Sequence, residues 1–152
     1  MAEFYVHVGQ QVEVAKTIGE ADVYLFAGIT GDLSTNHINE QVMARSSYGH
    51  RIAHGALLVG FMSAASTRMI EMYGTPANGE ATPVSLGYDR VRFLGPAYIG
   101  DTITVRYRIA EVDPARQRSL ATISVRNQRD EEIAVAQHIL KWVPNDCPIQ
   151  AN

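Results

Sequence analysis

Gly31-Asp32-Leu33-Ser34-Thr35-Asn36-His37, followed by Gly49-His50-Arg51-Ile52-Ala53-His54-Gly55-Ala56-Leu57-Leu58 and closing in Phe61-Met62-Ser63, is the stretch on which the chain turns. Its first part is made of turn formers and reads as a loop through about residue 38. Its second part opens an apolar run that predicts a long helix from about Ala53 to Tyr73. Ala56, Leu57, Val59, Gly60, Ala64 and Ala65 place apolar or small residues on most sides of that helix, so it needs cover on most sides. Arg68 and Glu71 bring charge only near its end, and Gly74 with Pro76 stops it.

Upstream, Val-Glu-Val at 12–14 within Val6 to Ala15 gives a short strand signal. Thr17 and Glu20 stand in capping-box spacing and predict a helix start near Ile18, with the helix running over Glu20 to about Ala27 and leaving through Gly28 and Gly31. Asn39 caps a short helix to about Ala44, and Ser46 to Arg51 is a polar linker. Downstream, Val84–Leu94, Thr102–Val112, Ser119–Asn127 and Ile133–Val143 read as strands joined by turns, which predicts antiparallel neighbours. The tail, Pro144 to Asn152, reads as irregular.

The expected class is therefore α+β: a five-stranded antiparallel sheet curled around one long central helix, in a single domain over 1–152. One sheet covers one side of the helix, and a second copy of the chain is the simplest cover for the other. This predicts a homodimer or a larger even assembly.

Composition narrows the partners. Lys plus Arg is 13 against 16 for Asp plus Glu, a net charge of −3 without the basic footprint of a nucleic-acid binder. No window reaches the ~20 apolar residues of a membrane span. The first ten residues lack the apolar core of a signal peptide, and Cys147 is the lone cysteine. These features lead to an expectation of a cytoplasmic protein.

Asp32 and His37 are five residues apart. On a helix that spacing would turn them about 140° away from each other. In a loop they can converge, and a carboxylate and an imidazole that face one water form a general acid–base pair. The bland alternative is a capping Asp32 and a surface His37. Gly55 at the helix start would let a ligand oxygen approach the free N–H groups there, or would simply permit close packing. Ser63, two turns on, is either a site residue or a helix serine bonded to its own backbone. His54 reads as a polar residue near the helix start, and His50 and Arg51 as solvent-facing. Arg90, Arg92, Arg106, Arg108 and Lys141 read as a solvated sheet face. There is no zinc-ligand spacing, no glycine-rich nucleotide loop and no Gly-x-Ser-x-Gly.

Taken together, these residues resemble the MaoC-like dehydratases, which include the (R)-specific enoyl-CoA hydratases. The family's Phe-Ala-x-x-Ser/Thr-Gly-Asp-x-Asn-Pro-x-His is similar to Phe26-Ala27-Gly28-Ile29-Thr30-Gly31-Asp32-Leu33-Ser34-Thr35-Asn36-His37. Its Phe-Gly-x-x-Ile-Ala-His-Gly is similar to Tyr48 through Gly55, and Arg92 to Asp101 resembles its later strand junction. Ser34-Thr35 replaces the family's Asn-Pro, which removes a fixed backbone angle, and Asn36 adds polarity before the histidine.

The resemblance implies a hot-dog fold, a dimer, and reversible hydration of trans-2-enoyl thioesters carried on CoA or acyl-carrier protein. It implies Asp32 and His37 as the acid–base pair, Gly55 as the oxyanion donor and Ser63 in support, with no metal and no cofactor; Asn36, which departs from the family pattern, is expected as a further supporting residue beside the site. The competing classes are a hot-dog acyl-CoA thioesterase, which does not need the His37 partner, and a non-catalytic acyl-thioester-binding protein.

Overall fold

The computed structural model describes residues 4–145. In chain order it contains β1 (Gln11–Thr17), α1 (Glu20–Thr30), the one-turn helices α2 (Thr35–Ile38) and α3 (Glu40–Met43), and the long helix α4 (Gly55–Met69). After α4 come β2 (Ala81–Phe93), β3 (Thr102–Asp113), β4 (Arg118–Arg126) and β5 (Glu132–Pro144).

The strands form one antiparallel sheet in the order β1-β3-β4-β5-β2. Hairpins join β3 to β4 and β4 to β5, as short turns require. The expectation fails for β2 and β3. They are consecutive in sequence, yet β2 pairs with β5 at one edge while β3 pairs with β1 toward the other. The segment between them is a crossover, not a turn. It is anchored along its length: Leu94 N–H donates to Ile133 O, Ala53 N–H to Ala97 O, and Gly100 N–H to Ile18 O. This crossover becomes one wall of the site.

Period-two burial puts one face of the sheet inside. Ile103, Val105, Tyr107 and Ile109 of β3 alternate with exposed or half-buried residues, as do Ser119, Ala121, Ile123 and Val125 of β4. On β5 the buried series is Ala134, Ala136, His138, Leu140 and Trp142. Helix α4 lies against β1 and β3 on this face and buries Leu58, Met62, Ala65 and Met69. Its opposite side, with Ala56, Gly60 and Ala64, is exposed in this chain. The helix is shorter at both ends than Ala53–Tyr73: His54 is its N-cap, and beyond Met69 the last turn widens into a π-turn over Ile70–Gly74. Trp142 donates its indole N–H to Gly74 O and closes that end of the core beneath Phe4 and Tyr5.

Helix α1 starts at Glu20, the expected first residue, but Thr17 is not its cap. Thr17 is committed to β1, and Asp22 takes over the cap by accepting the Gly19 N–H at 2.7 Å. Asn39 caps α3 as expected, accepting the Val42 N–H. The expected irregular tail lies outside the described residues from 146 onward, and Pro144 itself ends β5.

His138 shares the buried parity of β5 and is fully enclosed. Its Nδ1 bonds the Tyr107 hydroxyl and its Nε2 the Ser85 hydroxyl, each at 2.8 Å, and its ring stacks on Tyr88. One ring nitrogen therefore donates and the other accepts, so the neutral imidazole is fully satisfied. Burial lowers the His138 pKa from its ordinary 6.5 to about 4 and pushes the Tyr107 hydroxyl upward. A folded-state pKa below the unfolded one means stability is intact above about pH 6.5 and is lost as pH falls toward 4. The loss amounts to about 3 kcal/mol. His138→Gln should remove that part of the acid sensitivity in urea unfolding at pH 7 and pH 4.5. Equal acid losses in both proteins would assign it to other groups.

Candidate active site

Gly31 ends α1 in the left-handed region, at φ 78°, with its N–H on Ala27 O. A residue with a Cβ would be strained there. The reversal delivers Asp32 into the link before α2, and α2 delivers His37. Part of the segment expected to be loop is thus a helical turn, held by Asn39 N–H to Thr35 O.

Ser34-Thr35 do without the proline ring because side chains tie the turn. Ser34 N–H donates to Asp32 Oδ1 at 3.3 Å, and Ser34 Oγ–H donates to Asn36 Oδ1 at 2.7 Å. Asn36 thereby spends its side chain on the turn while its carbonyl accepts the Ile52 N–H.

His37 is 8% exposed, and its Nδ1–H donates to Ile52 O at 2.7 Å, which leaves Nε2 as the free nitrogen. One carboxylate oxygen of Asp32, one nitrogen of His37 and one of His54 all lie within 4.8 Å of one another. His37 and Gly55 line the same cleft of about 570 Å³, walled also by Asn36, Tyr48, Phe93 and the crossover residues Gly95 to Ala97. Gly55 is the first residue of α4, so its N–H stands at the positive helix terminus.

Asp32, His37 and His54 are a donor set of the kind that holds cations, but the stacking of the two rings is unfavourable for one. The two imidazoles stack, with centroids 3.7 Å apart and planes at 27°. Ring lone pairs lie in the ring plane, so stacked rings aim them side by side. An ion about 2 Å from both nitrogens would sit off both axes.

The structure thus sets Asp32 beside His37 and places His37, Asn36 and Gly55 on one cleft; Asp32 is not among the residues that line it. Ser63 stands apart: it is exposed about 12 Å further along α4, its hydroxyl beside that of Tyr88 and its carbonyl accepting from Ser66 and Thr67.

Arg51 is not solvent-facing as expected. Its side chain is only 15% exposed and clamps three partners, Glu20, Glu40 and the Tyr24 hydroxyl, which ties α1 to α3 behind the site. His50 remains exposed and bonds Glu40. The Arg51 backbone N–H, then His50, hold the Glu40 carboxyl below the ordinary carboxylate range. Two contributors were not picked out from sequence. His54 is buried under His37. Phe93 lies with its ring over Gly55.

An antiparallel five-stranded sheet packed on a long helix defines a hot-dog domain, and in this chain an acid and a histidine meet just ahead of that helix. The chain belongs to the MaoC-like domain family, whose model matches residues 4–131. It is 36% identical over 110 residues to an (R)-specific enoyl-CoA hydratase of Rhodospirillum rubrum, covering 72% of this chain and 69% of the relative. It is 36% identical over 115 residues to a 3-hydroxybutyryl-CoA dehydratase of Methylorubrum extorquens, covering 75% and 67%. Among solved structures, an (R)-hydratase from A. caviae involved in PHA biosynthesis superposes with a TM-score of 0.79 at 21% identity, over 90% of this chain and 96% of the other. Among the described residues no helix is long and apolar enough to cross a membrane.

Proposed function

We propose that this protein is a hydro-lyase that adds water to trans-2-enoyl thioesters, and in reverse dehydrates (R)-3-hydroxyacyl thioesters, in the cytoplasm. The observation that carries the reading is the meeting of the Asp32 carboxylate and a His37 nitrogen within 4.8 Å, with His37 and Gly55 on one cleft. The names of the relatives support the same class of reaction.

In this reading a water held between Asp32 and His37 gives a proton to the Asp32 carboxylate as its oxygen bonds the β-carbon. The Cα–Cβ double-bond electrons move toward the thioester carbonyl, and His37 delivers a proton from Nε2 to the α-carbon. The proton on Asp32 then returns to His37, so the pair is restored. Negative charge on the thioester oxygen is greatest midway, and the Gly55 N–H at the helix terminus is the group that meets it. The backbone bond from His37 Nδ1–H to Ile52 O keeps Nε2 as the working nitrogen.

Crotonyl-CoA should lose its enoyl absorbance without release of free thiol. Thiol release would instead make the protein a thioesterase, and neither change would leave it a binding protein. A panel of short, long, branched and acidic enoyl thioesters on CoA and on acyl-carrier protein would define the acyl group and carrier.

The working unit in this reading is a homodimer. Helix α4 presents Ala56, Gly60 and Ala64 outward, and Leu25, Ile29 and Leu33 are exposed beside the site. Sedimentation at micromolar concentration should give twice the 16.7 kDa chain mass or a larger even multiple. A stable, active monomer would contradict it.

A further inference from the structure

His54 has no part in the chemistry above, yet it is 1% exposed beside it. Three contacts hold its ring. Nε2–H donates to the Asp32 carbonyl at 3.0 Å, one face stacks on His37, and the Phe26 ring packs at 4.8 Å. A carbonyl only accepts, so the bond to Asp32 places the proton on Nε2. That leaves Nδ1 as a buried acceptor without a hydrogen-bond partner among the described residues.

An orphaned buried acceptor opposes folding. A phenylalanine or leucine would occupy similar space and carry no such burden. What the imidazole supplies that an apolar ring does not is the bond to the main chain of residue 32. A position that keeps an unfavourable group beside a cleft is one where geometry outweighs stability.

We propose that His54 is the positioning residue of the Asp32–His37 pair. It clamps the backbone of the residue that bears the acid and braces the face of the ring that bears the base. The neighbouring bonds act in the same sense. Ile52 accepts from His37 Nδ1–H and donates to Asn36 O, while Ala53 N–H reaches across to Ala97 O. The three residues 52–54 are therefore the bar to which acid, base and crossover wall are all fastened, and Gly55 follows directly. The spacing of acid, base and oxyanion donor is set by this bar. A displacement of about 1 Å in such an array costs about 100-fold in rate.

The proposal rests on Asp32 and His37 being the reacting pair, and the test separates the two ideas. His54→Phe keeps an aromatic ring and loses the donor. His54→Gln keeps an N–H at the ε position. Turnover of crotonyl-CoA should fall about 100-fold in His54→Phe with KM within about threefold of wild type, and His54→Gln should recover most of it. Amide hydrogen exchange supplies a readout without substrate. The amides of residues 32–34 should exchange faster in His54→Phe than in wild type, while those of the β3–β4 hairpin keep their protection. Wild-type turnover and unchanged exchange at 32–34 in His54→Phe, alongside an inactive Asp32→Asn, would overturn the role of His54 and leave the reacting pair standing. Equal turnover in Asp32→Asn and wild type would overturn the reacting pair, and the positioning role with it.

Discussion

Asp32→Asn and His37→Gln are each expected to lower turnover by about 10²–10⁴-fold, the range for removing a positioned general acid or base. The folds should survive. The Asp32 carboxylate is on an exposed residue and accepts a long hydrogen bond from Ser34 N–H, which asparagine can still accept. Glutamine at 37 keeps much of the bulk under His54, whereas His37→Ala would open a hole beneath a buried ring and confuse packing with catalysis. The informative measurement is the double variant. If acid and histidine work on one shared water, losing either disables the unit, and the double variant should be little slower than the worse single one. Losses that multiply would mean two groups acting separately, and the shared water would have to be abandoned.

Much of this fold was legible because its strands obey a strict period. Thr102–Val112, Ser119–Asn127 and Ile133–Val143 differ from the observed β3, β4 and β5 by one residue at each end or less, since alternation leaves little freedom in where a half-buried strand can end. The order of the strands was not legible in the same way. Turn residues at Gly95-Pro96 say that a strand stops there, but they do not say whether the chain turns back or crosses over. The crossover was decided by its hydrogen bonds to Ile18, Ala53 and Ile133, which join residues far apart in sequence. The ends of α4 slipped for local reasons. His54 holds an extended cap conformation, and the last turn widened where Gly74 meets Val6 and the Trp142 ring.

The site divides along the same line. Asp32, His37 and Gly55 stood out because their residue types carry chemistry and their spacing resembled a family motif. Arg51 was read as a surface residue, since a lone arginine in a polar stretch usually is one, and His54 only as a polar residue near the helix start. What changed their standing is tertiary. Glu20, Tyr24 and Glu40 converge on one guanidinium, and the packing of α4 carries its own N-cap under His37. Neither convergence is written in local sequence.

Gly55→Val is the second substitution with a large expected effect, and the structure changes how it must be tested. The backbone at Gly55 is not in the left-handed region, so a side chain is conformationally acceptable and the helix would gain about 0.3 kcal/mol of propensity. A Cβ there, however, would stand 2.6–2.8 Å from three atoms of the Phe93 ring, well inside contact distance. Phe93 is about half exposed and has room to swing away. The melting temperature should therefore fall little, while turnover falls by about 10²–10³-fold, as when an oxyanion donor is lost.

Two causes predict that fall: obstruction of the thioester oxygen on its way to the Gly55 N–H, or displacement of Phe93 into the cleft. A Phe93→Ala background separates them, because the new side chain then meets no ring. If the glycine keeps a path open to the N–H, Gly55→Val in that background should still be about 100-fold slower than Phe93→Ala alone. If the glycine only seats the phenylalanine, the double variant should match Phe93→Ala, and the thioester oxygen must be held somewhere other than the start of α4.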